Sequence, residues 1–144
     1  MLADAAEKFS KQHTFKQVNL VFVNALFSDQ FGYNGLQTRA EKLMVFSSAL
    51  QSTQDRYAPD IILVACNTLS VLVPDTAFAK ASSVSVVGIV EEGVEQIAEQ
   101  LSDKPSARNI IFATKTTVDE GTHKNLLLEQ GFTDAQIMTL TCLH

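Results

Sequence analysis

The chain has 144 residues, of which 46% are apolar and 19% charged, and its net charge is −5. That composition is globular rather than disordered, and the length suits one ordinary domain or two small incomplete ones. The acidic balance, without a basic stripe, excludes a nucleic-acid footprint; a small anionic ligand stays compatible, because a few local donors outweigh a distant net field.

Strands and helices alternate along the chain. Residues 2–11 carry Leu2, Ala5, Ala6 and Phe9 at helical spacing and predict a helix. Residues 18–23 predict a strand, and residues 24–35 a loop in which Gly32-Tyr33-Asn34-Gly35 marks a turn. A long amphipathic helix follows over 36–57, its stripe supplied by Ala40, Leu43, Met44, Phe46, Ala49 and Leu50, until Ala58-Pro59 stops it. The apolar run Ile61-Ile62-Leu63-Val64-Ala65 then predicts a strand leading straight into Cys66-Asn67-Thr68.

Beyond Thr68 a helical stretch reaches about residue 81, with Pro74 either opening a helix or kinking one. Residues 84–90 predict a third strand and 91–101 a helix whose positive end holds Glu91 and Glu92. Lys104-Pro105-Ser106 reads as a linker. A strand over 109–113, a helix over 118–129 ended by Gly131, and a strand over 137–142 complete the pattern. Such alternation means an α/β fold with a mostly parallel sheet. The chain has no strand before its first helix and nothing packed after its last strand, ragged ends for a self-sufficient domain.

The two cysteines, Cys66 and Cys142, form no CxxC pair and no metal-ligand spacing. Their strand-like surroundings fit a reducing cytoplasm better than a disulfide framework. Residues 1–12 lack the apolar core of a signal peptide, and no run approaches the roughly 20 apolar residues of a membrane span. The expectation is a soluble, cytoplasmic protein without membrane or nucleic-acid partners.

Cys66 is the leading candidate for chemistry. The carboxyl end of a parallel strand is where ligands bind, and a following helix N-terminus favours a thiolate. Asn67, Thr68 and their backbone N–H groups suit a small anionic substrate. The bland alternative, a buried small hydrophobe, weighs about evenly against this from the residues alone. Thr114-Lys115-Thr116-Thr117 sits at a second strand end; capping by Thr116 or Thr117 competes there with carboxylate binding. Tyr33 lies in a surface turn, where a loop tyrosine can close over a ligand. Cys142 and His144 sit at a fraying end, and His13 and His123 fall on helix ends or surfaces, so none is assigned a role.

The segments 61–70 (IILVACNTLS), 86–94 (VVGIVEEGV) and 113–123 (ATKTTVDEGTH) together resemble the cofactor-independent aspartate/glutamate racemase superfamily, and glutamate racemase above all. The resemblance runs from about Leu20 to Cys142. It implies two similar α/β domains with parallel, three-layer Rossmann-like sheets: residues 1–91 as most of the first, lacking its first strand, and 92–144 as the start of the second. It implies proton exchange at the α-carbon of a small acidic amino acid or related dicarboxylate, with no cofactor and no metal. Cys66 would be one catalytic cysteine, Asn67, Thr68 and Thr117 would bind substrate, and Tyr33 and Gly35 would be lesser members. The Asp-Ser-Gly and Cys-Thr-His motifs of that superfamily have no match here, and Cys142 corresponds to a non-catalytic position. The chain therefore reads as an internal fragment carrying one of two thiols. A one-cysteine decarboxylase or cis–trans isomerase of dicarboxylates, or a non-catalytic binding module, are the alternatives. Missing strands would leave open sheet edges, which invite a homodimer.

Overall fold

Among the described residues, parallel pairing forms two small sheets. The computed structural model describes residues 17–25, 32–104 and 106–142. Strand β1 (Ile61–Leu63) pairs in parallel with β2 (Ser85–Val87), Ile62 standing opposite Val86. Strand β3 (Asn109–Ala113) pairs in parallel with β4 (Ile137–Thr141), Ile111 opposite Thr139. The α/β class expected from the alternation is what the structure has.

Helix α1 (Arg39–Tyr57) begins three residues later than expected, because Thr38 and Glu41 form a capping box that sets its start. The Glu41 N–H donates to Thr38 Oγ1 (3.1 Å), and the Thr38 N–H donates to Glu41 Oε2 (2.9 Å). It ends at Ala58, which takes a left-handed conformation ahead of Pro59.

The stretch around Pro74 is not a kinked helix: Pro74 stands in the first turn of a short 3₁₀ element, in line with the opening alternative. The stretch divides into α2 (Asn67–Ser70), a 3₁₀ turn at Val73–Asp75 that contains Pro74, and α3 (Ala77–Ala81). Proline lacks the N–H that a continuous helix needs. Thr76, fully buried, restarts the helix: it accepts from the Ala79 N–H (3.1 Å) and donates to the Val73 carbonyl (2.8 Å).

Helix α4 (Val90–Ser102) follows β2, and the division expected at residue 91 falls in its first turn. The helix expected over 118–129 is two helices, α5 (Lys115–Glu120) and α6 (Thr122–Glu129), broken at Gly121. Gly121 has φ +64, the left-handed region that favours glycine, and it ends α5 as it opens α6. Gly131 closes α6 as anticipated, with φ +95 and the Phe132 N–H reaching back to the Leu127 carbonyl (3.2 Å).

The strand expected over 18–23 is not formed. That segment runs without secondary structure, and Phe22 is 68% exposed. A β-branched run becomes a strand only when a neighbour completes its ladder, and among the described residues none pairs with it. The helix expected over 2–11 lies outside the described residues.

Phe46, Leu50, Leu72, Phe78, Val90, Val94, Leu127 and Ile137 form one continuous buried cluster. Ile62, Val86 and Ile111 pack against it from the inner sheet faces. The opposite faces are open: Ile61, Leu63, Ile110, Phe112 and Met138 are all exposed. Among the described residues no helix is long and apolar enough to cross a membrane.

Candidate active site

Both sheets end at one place. The Val64 N–H donates to the Val87 carbonyl (2.8 Å), carrying the β1–β2 pairing one step further. The chain then leaves the sheet, holds Cys66 in an extended conformation (φ −143, ψ 119) and turns into α2. The Cys66 carbonyl accepts from the Ser70 N–H (2.8 Å), closing the helical turn. Its side chain makes no capping bond, and the residue is exposed. Cys66 is therefore not the buried hydrophobe that a strand-end cysteine commonly is. The helix that follows it is a single turn.

Ser70 anchors this turn to the sheet. Its hydroxyl donates to the Val64 carbonyl (2.9 Å) and accepts from the Ile89 N–H (3.2 Å). Gly88 makes room for it, since a Cβ there would stand 2.9 Å from Ser70 Cβ. Asn67 is exposed and Thr68 is buried.

The second strand end meets the first through hydroxyls. Thr68 Oγ1 lies 2.8 Å from Thr114 Oγ1, which in turn lies 3.1 Å from Thr117 Oγ1. Thr114 caps α5, accepting from the Thr117 N–H (3.4 Å). Capping thus falls to Thr114 rather than to Thr116 or Thr117, both of which are buried. Thr114 opened the expected strand-end element without a capping role, although its position three residues before Thr117 is the capping spacing. Lys42 Nζ, from α1, donates to Thr116 Oγ1 (2.6 Å).

Tyr33 reaches the same region. It opens a 3₁₀ turn over Tyr33–Gly35, so the predicted turn exists, but its ring is buried rather than displayed on an exposed loop. The ring packs edge-on against Phe46 of α1, with centroids 6.0 Å apart. Burial pushes the phenol above its ordinary range, and the charge of a Cys66 thiolate adds to that shift. Tyr33 and Cys66 are electrostatic neighbours. Gly35 lies exposed at the end of the turn, its carbonyl accepting from Gln37 Nε2 (3.2 Å).

Cys142 stands at the carboxyl end of β4, where its N–H donates to the Ala113 carbonyl (2.9 Å). His123 stands in the first turn of α6, a helix end as expected, but it is buried rather than on a surface. Desolvation holds its pKa below the ordinary value, opposed in part by Glu91. With Thr117 it lines a void of about 10 Å³. A surface depression of about 590 Å³ is lined by Glu95, Glu99, Asp103 and Gln130 and by none of the residues just described. Among the described residues no group of three or more His, Cys, Asp or Glu is placed to hold a metal ion.

What this arrangement can do is present a solvent-facing thiol beside a phenol, an amide and a line of threonine hydroxyls. Such donors suit a small carboxylate whose reacting carbon faces the sulfur. No protein-family model matches the chain. It is 34% identical over 80 residues to the glutamate racemase of Campylobacter jejuni, covering 56% of this chain and 31% of that enzyme. Against the glutamate racemase of Helicobacter pylori it is 35% identical over 72 residues, 50% of this chain and 28% of that one. The crystal structure of the Campylobacter jejuni glutamate racemase superposes with a TM-score of 0.65 at 26% identity, over 78% of this chain and 42% of that chain. The chain is similar to glutamate racemases in sequence and in fold. Its matched stretch spans under a third of the length of these curated relatives. The racemase resemblance is thus matched by similarity of sequence and of fold.

Proposed function

We propose that this chain is part of a cofactor-independent amino-acid racemase of the aspartate/glutamate type, acting on a small acidic amino acid or a related dicarboxylate. The placement of Cys66 carries the reading: an exposed thiol directly after a parallel strand, two residues before a threonine bonded to the end of the other sheet.

In this reaction the Cys66 thiolate takes the α-proton and becomes a thiol. The electron pair left on the α-carbon spreads into the adjacent carboxylate, and a thiol on the opposite face returns a proton with inversion. The α-hydrogen of an amino-acid zwitterion is a very weak acid, so fixed donors must meet the negative charge that builds on the carboxylate. Asn67, Thr68 and Thr117 supply those donors, and Tyr33 and Gly35 border the site from the preceding turn. The hydroxyl line Thr68–Thr114–Thr117 supports this assignment by holding both strand ends at a fixed separation.

Cys66 serves one face of the substrate. Cys142 is not assigned to the other, so inversion by this chain requires a second thiol from elsewhere. Residues 1–91 and 92–144 belong on this reading to two α/β units meeting at the site, in a cytoplasmic enzyme.

Exchange of the α-proton of glutamate or aspartate for deuterium in ²H₂O, followed by proton NMR, tests the proposal. Exchange that depends on Cys66, and is lost in Cys66→Ser, is the expected result. Undiminished exchange in Cys66→Ser would exclude thiol chemistry at this position.

A further inference from the structure

Helix α5 is six residues long, too short to hold itself together, so its place depends on what it touches. Among the described residues it adds no side chain to the continuous apolar cluster, whereas α6, reached through the left-handed Gly121, buries Leu127 there. Polar bonds tie α5 and its cap to α1 and to the turn after β1. At the start of α5, Thr114 Oγ1 meets Thr68 Oγ1, and Lys42 Nζ donates to Thr116 Oγ1. At its end, Arg39 grips Glu120 with two nitrogens, Nε on Oε1 (2.6 Å) and an Nη on Oε2 (3.1 Å). Arg39 and Lys42 are three apart on α1, and Thr116 and Glu120 four apart on α5, so each pair shares one helix face. The neighbouring pair on α5, Lys115 with Asp119, is open to solvent, whereas the Glu120 side chain is only 17% exposed. Arg39 also bonds Asp75 of the 3₁₀ turn, so one guanidinium joins α1, that turn and α5.

We infer that Arg39 is a positioning residue whose forked bond to Glu120 is a salt-sensitive latch on α5, and through α5 on Thr117. A charge-assisted, two-pronged bond is stronger and more directional than a bond between neutral hydroxyls. With Glu120 released, α5 keeps its bonds at Thr114 and Thr116 and swings about Gly121, whose backbone has the freedom for it. Thr117 then loses its fixed distance from Thr68. The link to substrate rests on the role proposed above for Thr117; the latch itself does not.

Amide hydrogen exchange of the 144-residue chain, followed by NMR, tests the latch. The N–H groups of Val118 and Gly121, bonded to the carbonyls of Thr114 and Thr117, report on α5, and that of Gln130, bonded to the Leu126 carbonyl, reports on α6. Glu120→Gln should speed exchange at Val118 and Gly121 about threefold to tenfold and leave Gln130 unmoved. Sodium chloride at about 1 M, where the screening length falls to about 3 Å, should do the same to the unsubstituted chain and add little in the variant. Arg39→Lys, which keeps the charge but not the fork, should fall between. Unchanged rates at Val118 and Gly121 in Glu120→Gln overturn the inference, and so does equal acceleration at Gln130, the mark of general destabilisation. Titration with L-glutamate separates the two claims. A shift of the Thr117 amide that needs more glutamate in Glu120→Gln supports the positioning of Thr117, and the same midpoint in both chains overturns it. No shift in the unsubstituted chain counts against the substrate role of Thr117, while the exchange rates still decide the latch.

Discussion

Thr68 Oγ1 and Thr114 Oγ1 lie 2.8 Å apart, a hydrogen bond between side chains 46 residues apart in sequence that ties the turn after β1 to the turn after β3. Thr114 serves twice, as partner to Thr68 and as the cap of α5. Replacing Thr114 by valine removes the cap and leaves the buried Thr68 hydroxyl without this partner, which should cost about 2 kcal/mol. Thr114→Ser should retain most of the stability. Urea denaturation checks both, with a lower midpoint and an unchanged slope expected for the valine variant. An unshifted midpoint would mean that the hydroxyl line contributes nothing.

Gly88 matters for space rather than for backbone freedom. A methyl group there meets Ser70 Cβ at 2.9 Å and Ser70 Oγ at 3.1 Å. Ser70 is pinned between the Val64 carbonyl and the Ile89 N–H and cannot simply rotate away. Gly88→Ala should therefore destabilise the chain by about 1–3 kcal/mol. It should also move the amide resonances of Cys66 and Asn67 in an NMR comparison. Unperturbed resonances there would separate Gly88 from the placement of the thiol.

The Phe46 ring supports Tyr33 and is 2% exposed. Phe46→Ala should cost about 3–5 kcal/mol, whereas Phe46→Leu, closer in volume, should cost under about 1.5 kcal/mol. The leucine variant stays folded and loses the edge-on contact, so the Tyr33 phenol should titrate nearer its ordinary value in a spectrophotometric titration. An unchanged titration would show that Phe46 does not hold the phenol in its buried position.

His123 predicts a pH dependence of known sign. Its folded-state pKa lies below the ordinary value of 6.5 because burial disfavours the imidazolium; Glu91 opposes this, and Lys124 lines the same void. The unfolded chain therefore binds more protons just below that value. The contribution is fully present above pH 6.5 and is lost as the pH falls below it, towards the depressed folded-state value. His123→Phe should flatten the stability profile in that window, read as unfolding midpoints from pH 7 downward. A profile equally steep in the variant would assign the slope to other groups.

Much of this was legible in the residues. The apolar run 61–65 breaking into Cys66-Asn67-Thr68 announced a strand and a strand-end site, because a period of polarity is a local property. The Thr38 and Glu41 pair held the true start of α1, and Thr114 held the true cap of α5, both at capping spacing. Gly121 carried the division between α5 and α6 in its left-handed backbone. What local pattern could not decide was whether residues 18–23 find a partner strand, because a ladder depends on a second segment.

Sequence alone determined the alternation of strands and helices, the chemistry available at Cys66 and the racemase resemblance. Each is written in neighbouring residues. Tertiary structure alone decided that Cys66 is exposed while Tyr33 and His123 are buried, and that Thr68 meets Thr114. It also brought Lys42 to Thr116, 74 positions away. Burial and long-range hydrogen bonds arise only where distant segments pack together, and no local spacing records which segments those will be.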